Sequence, residues 1–183
     1  MATTRELTAN WQNLCDIQGM NPSQLMCVTG TIVDFGGVST TAVYADLGAA
    51  PSAATHVEGV FMPFGGLVVA ASCKYVHDAA ACDAAASSTL DIEIMASPGG
   101  MESVSASYAS QGTAIGLVRA DMNGLHWSAS ATGLGIALPA GVTIAIRSLV
   151  LGGNIDNLVN ADLSVALFVA VPQSGLGLPT SGS

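Results

Sequence analysis

The segment Asp162–Val171 places Leu163, Val165, Leu167, Val169 and Val171 on one face at a strict period of two. Asp162, Ser164, Ala166, Phe168 and Ala170 fall on the other. A helix would need apolar positions three and four apart, so this alternation predicts a β-strand with one face in a core and the other lightly covered. The same pattern recurs in Leu90–Ile94 and Val142–Ile146, and shorter β-like runs cover Val57–Phe61, Leu67–Tyr75, Ser103–Ala109, Thr113–Val118 and Leu125–Ala131. The alternation slips near Ser148, which predicts a bulge there. Serial short strands, frequent turn residues and no long amphipathic helix predict an all-β chain, an antiparallel β-sandwich of jelly-roll type.

Ahead of that body, Thr4 can cap a short helix reaching about Leu14, with Leu7, Trp11 and Leu14 as its one apolar stripe. Two more β-like runs, Val28–Phe35 and Thr41–Leu47, are divided by Gly36-Gly37. The loop Gly48–Thr55 follows. The organisation expected is an N-terminal arm over residues 1–47 containing the short helix, a sandwich body over 55–171 and a flexible tail over 172–183. The predicted core is Leu90, Ile92, Ile94, Val142, Ile144, Ile146 and the five apolar residues of Asp162–Val171.

Only 9% of the 183 residues are charged, against about 25% in an ordinary soluble domain. The cations are Arg5, Lys74, Arg119 and Arg147, and the formal net charge is -9. A nucleic-acid backbone requires clustered Lys and Arg, so no nucleic-acid partner is expected. No membrane partner is expected either: the apolar run Gly65–Cys73 is too short for a spanning helix, and two Trp and three Tyr cannot form the two aromatic girdles of a membrane barrel. The first residues lack the apolar core of a signal peptide, so synthesis in a cytoplasm is expected, with Cys15, Cys27, Cys73 and Cys82 reduced.

Chemistry-bearing clusters are few. Cys73, His77, Asp78 and Cys82 are of types that zinc accepts, but no CxxC knuckle is present, and incidental thiols are the simpler reading. A Cys73–Cys82 disulfide is the alternative under oxidising conditions. Asn154, Asp156, Asn160 and Asp162 carry oxygen ligands suited to calcium, yet their spacing is not that of an EF-hand and such residues are ordinary in turns. Asp91 and Glu93 share one strand face, as the carboxylates of a glycosidase pair do, and as charges on a solvated face do. His56, His77 and His126 have no Ser or Cys partner by spacing, and neither GxSxG nor HExxH occurs. Gly133-x-Gly135 and Gly175-x-Gly177 lack the strand–turn–helix setting of a phosphate loop and are read as flexible points. The expectation is no enzyme activity, no catalytic residue, no cofactor and no metal.

A surface so poor in charge associates readily, which predicts a homo-oligomer, a trimer by closed symmetry. In this overall style the chain resembles the decoration (cement) and head-fibre proteins of tailed bacteriophages. The resemblance rests on the arm from Met1 to about Leu47, the Ala/Gly/Ser/Thr-rich sandwich from about Thr55 to Val171, and the closing run from Val142 through Gly152-Gly153-Asn154 to Val171. It implies a non-enzymatic virion protein on the outer capsid surface, bound to the major capsid protein and stabilising an icosahedral shell. The shortage of basic residues departs from what an acidic shell would call for, so the contact is expected to be mainly apolar. The alternative is a receptor- or glycan-binding fibre-tip module.

Overall fold

The computed structural model describes residues 23–33, 42–45, 56–57, 59–76, 83–84, 87–98, 103–104, 107–122, 126–153, 155–156 and 162–172. In chain order the strands are β1 (Ser23–Val33), β2 (Ala42–Tyr44), β3 (His56–Val57), β4 (Val60–Met62), β5 (Gly66–Val76), β6 (Asp83–Ala84), β7 (Thr89–Ser97), β8 (Ser103–Val104), β9 (Ala109–Val118), β10 (His126–Leu138), β11 (Val142–Leu151), β12 (Ile155–Asp156) and β13 (Asp162–Pro172). A 3-10 turn, Arg119–Met122, follows β9, where the Asp121 carboxylate accepts a hydrogen bond from the Val118 N–H at 3.1 Å.

Two sheets form the sandwich. The first has the order β1-β13-β5-β10. The second has the order β2-β11-β7-β9, with β4 also pairing β11 beyond the end of β2. The pairings are nested: β1 with β13, β2 and β4 with β11, β5 with β10, and β7 with β9, all antiparallel. That nesting is one long hairpin folded over on itself, the jelly-roll arrangement expected from the sequence, with four strands in the first sheet and five in the second.

The core lies between the sheets. Leu90, Ile92, Ile94, Val142, Ile144, Ile146, Leu163, Val165, Leu167, Val169 and Val171 are all buried there, as the alternation predicts. Tyr75 and Trp127 stack beside them with ring centroids 5.2 Å apart. Burying each large aliphatic side chain contributes roughly 1.5–3 kcal/mol.

Four sequence expectations give way. First, the division after Leu47 does not follow the sheets: β1 pairs with β13 over all 11 of its residues, β2 pairs with β11, and Val28, Ile32 and Ala45 belong to the core. β1 belongs to the first sheet and β2 to the second, so the N-terminal strands are shared between both layers of the sandwich. Second, no bulge occurs at Ser148. The β11–β7 register runs unbroken from Thr143 to Leu151, and Ser148 keeps the inward phase, fully buried, donating to the Val43 carbonyl at 3.3 Å. The apparent slip was a serine at a core position. Third, Gly133 and Gly135 lie inside a longer strand, with φ of 69° and 66° at the register shift between Thr132 and Ile136. That left-handed backbone favours glycine and bends the strand. Fourth, Val57–Phe61 forms two short strands with Gly59 between them, and among the described residues of Ser103–Ala109 the pair Ser103–Val104 belongs to β8 while Ala109 opens β9. The Thr4–Leu14 helix, the Gly48–Thr55 loop and the tail beyond Pro172 lie outside the described residues.

Candidate functional site

The two outer faces of the sandwich are built differently. On the second sheet, Met95 and Ala145 point away from the core yet are buried, packed against Val57 and Tyr108 with Tyr44 alongside. The Tyr44 and Tyr108 rings sit 5.9 Å apart at 56°. The β3–β8 ribbon, joined through His56–Val104 and Val57–Ser103, brings Val57 into this second cluster. Gly59 lets the strap pass: a Cβ there would come within 2.9 Å of the Ile144 carbonyl oxygen and 2.7 Å of the Tyr108 hydroxyl, and closer still to Thr143. The chain seals part of this face with its own residues.

The first sheet has no comparable cover among the described residues. Its register aligns Thr31, Ser164, Lys74 and Ser128 in one cross-strand row, and Thr29, Ala166, Ser72 and Ser130 in the next. These outward residues line a shallow open groove of about 780 Å³ across all four strands. Among its described lining residues Lys74 is the one that carries a charge. The surface offers hydroxyl donors and acceptors and close approach of a partner's backbone. Cys73, which shares the groove floor with Ala129 and Val165, belongs to the core side. This open face is the candidate functional site, and sequence reasoning missed it. The signal was present in the small and hydroxyl residues alternating with Val165, Cys73 and Val28.

The residue groups singled out from the sequence fall as follows. Cys73 is a free, buried thiol, and burial pushes it up to about 11 from an ordinary value of 9.0, partly offset by a backbone hydrogen bond at Ala129. Its side chain lies among the buried residues of the core. His77, Asp78 and Cys82 lie outside the described residues. Asp156 ends β12, which pairs with β6 so that Asp156 stands opposite Asp83; Asp162 opens β13. Asn154 and Asn160 lie outside the described residues, and among those described no group of three or more His, Cys, Asp and Glu comes together. His126 stands exposed at the start of β10, His56 lies in β3, and Gly175 and Gly177 are outside the described residues.

Asp91 and Glu93 lie on the outer face of β7 as expected, but only partly exposed. Glu93 is the register partner of Arg147, whose Nε donates to Glu93 Oε2 at 2.9 Å and whose Nη2 makes a second, shorter bond to the same oxygen. Ser110 donates to Glu93 Oε1 at 3.2 Å. Burial raises the Asp91 carboxyl above the usual range, with Glu93 adding to the effect. A glycosidase pair needs one free nucleophile or base and one acid; here one carboxylate is engaged by an arginine on the neighbouring strand. The arrangement ties β7 to β11 and β9.

The thiols supply a direct check of the two faces. In a Cys15→Ser, Cys82→Ser background, Cys27, exposed on the outer side of β1, should react with Ellman's reagent at once. Cys73 should react at least about 100-fold more slowly until the chain is unfolded, since its raised pKa depletes the thiolate and burial blocks access. Equal rates at the two thiols would contradict the assignment of inner and outer faces.

No protein-family model matches the chain, and no curated protein matches it. Among solved structures, a chain of the cyanophage Pam1 capsid asymmetric unit aligns over 82% of this chain and 86% of its own length, at 17% identity and a TM-score of 0.41. A likeness at that level is too distant to carry function from one chain to the other.

Proposed function

We propose that the chain is a non-enzymatic structural protein of a virion, a capsid decoration (cement) protein that binds the major capsid protein on the outer surface and stabilises the shell. The observation that carries this reading is the asymmetry of the sandwich: one outer face is partly sealed by the chain's own strap, and the other is an open, nearly uncharged sheet of Ser, Thr and Ala. Faces depleted of charge are characteristic of stable protein contacts. Phe61 and Phe64, exposed at 45% and 36% beside the Met62–Gly141 turn contact, add apolar contact area of the kind the scarcity of cations calls for. With β1 and β2 in the sandwich, the anchoring segment contracts to residues 1–22, and the displayed body begins at Ser23. Threefold symmetry remains the arrangement this reading favours on the shell.

Purified protein added to undecorated capsids should co-sediment with them and raise the temperature at which they release their contents. Removal of residues 1–22 should abolish that binding while leaving the β fold intact. Full binding by the shortened chain would remove the anchoring role. The second reading, a receptor- or glycan-binding fibre-tip module, draws on the hydroxyl-lined groove with Lys74, since polyhydroxylated ligands bond well to such a surface. Binding to host cells or glycans together with indifference to capsids would select it.

A further inference from the structure

Among the described residues, the unpaired edges of the two sheets are protected in every case but one. An exposed edge strand offers a row of free N–H and C=O groups, and folded proteins blunt such edges by shortening, bulging or charging them. In the second sheet, one edge consists of β2 and β4, each only 3 residues long. The other edge, β9, is broken by two register shifts, opposite Ile92/Glu93 and Ile94/Met95. In the first sheet, the β10 edge is bent where Gly133 and Gly135 take positive φ. The remaining edge is β1. It runs for 11 residues with no register shift against β13, and it contains no proline and no charged residue. Among the described residues nothing pairs with its outer side.

We propose that β1 is the edge through which two copies of this chain join, antiparallel, across a twofold axis, merging two four-stranded sheets into one of eight. A second copy is the occupant the charges favour. The chain carries a formal charge of -9, and two copies repel wherever their carboxylates face each other; along Ser23–Val33 no charge faces any other. The strand is also self-complementary in phase. Full overlap pairs Ser23 with Val33 and centres on Val28, so outward residues meet outward residues and the core side meets the core side. Cys27 of one copy then lies opposite Thr29 of the other, and the two Cys27 residues are diagonal neighbours, about 7–8 Å apart. The open hydroxyl faces become one continuous surface. A threefold ring built through another surface would combine with this contact to give a hexamer.

Light scattering should therefore return an even multiple of the 18.2 kDa chain. In the Cys15→Ser, Cys82→Ser background, a short bis-maleimide should link Cys27 to Cys27 and give a band of doubled mass on a denaturing gel. Thr29→Lys with Thr31→Lys, which charges the edge, should halve the native mass. Ser128→Lys with Ser130→Lys, the same change on the opposite edge strand, should leave it unaltered. A monomer or an odd-numbered assembly would overturn the proposal, as would the absence of the Cys27 cross-link in the unaltered edge. If pairing appears only after residues 1–22 are removed, the edge belongs to the chain's own N-terminal segment and the proposal fails.

Discussion

Removal of residues 1–47 is expected to leave no folded protein, whereas removal of residues 1–22 should leave the sandwich intact. The larger deletion strips β1 from β13, withdraws Val28, Ile32 and Ala45 from the core, and takes β2 from the edge of β11. Each buried aliphatic side chain is worth roughly 1.5–3 kcal/mol, and an ordinary domain has only about 5–15 kcal/mol in total. Loss of one of the four strands of a sheet, with β13 left as a raw edge, exceeds that margin. The smaller deletion touches no described strand. Circular dichroism melts distinguish the two: a cooperative transition for the chain starting at Ser23, and none for the chain starting at Gly48. A cooperative melt of the shorter fragment would show that β1 and β2 are dispensable.

Leu167→Ala is expected to cost about 2–5 kcal/mol, the transfer term together with the cavity left behind. Leu167 is fully buried at the middle of β13, with Val28 opposite on β1 and Ala71 opposite on β5. With strands hydrogen-bonded on both sides, β13 cannot shift to collapse the void. Urea unfolding at neutral pH measures the loss from the shift in midpoint. A change below about 0.5 kcal/mol would mean that the side chain does not occupy the core.

The inner faces of Leu90–Ile94, Val142–Ile146 and Leu163–Val171 were readable because burial on one face of a strand forces an apolar residue at every second position, and no polar residue interrupts that rhythm in those stretches. The rhythm failed where a polar residue took a core position. Ser148 is satisfied by the Val43 carbonyl, a partner 105 residues away that no local pattern announces. It failed again in β10, where two glycines read as the end of a strand but in fact bend one that continues to Leu138. β1 alternates Met26, Val28, Gly30 and Ile32 weakly, because an edge strand needs fewer large side chains inside; its membership of the sandwich is fixed by pairing with β13, the most distant strand in the chain. The outer faces were the least legible. Whether Ser72, Ser128 and Ser164 stand free or covered depends on where the strap carrying Val57 and Tyr108 comes to rest, and that is decided by tertiary contacts such as the close passage at Gly59. The Glu93–Arg147 pair was hidden for the same reason: 54 residues separate partners that the β7–β11 register sets side by side.

The central claim, that this jelly roll is a structural element of a virion's outer surface, is tested most directly by a cryo-electron microscopy map of the particle that carries the chain. The predicted result is density for the two sheets of the sandwich repeated with icosahedral symmetry on the outside of the shell, with the chain ahead of Ser23 running down to the capsid protein. Density for the sandwich only at the tip of a fibre, or no copy of the chain in the particle at all, would contradict it.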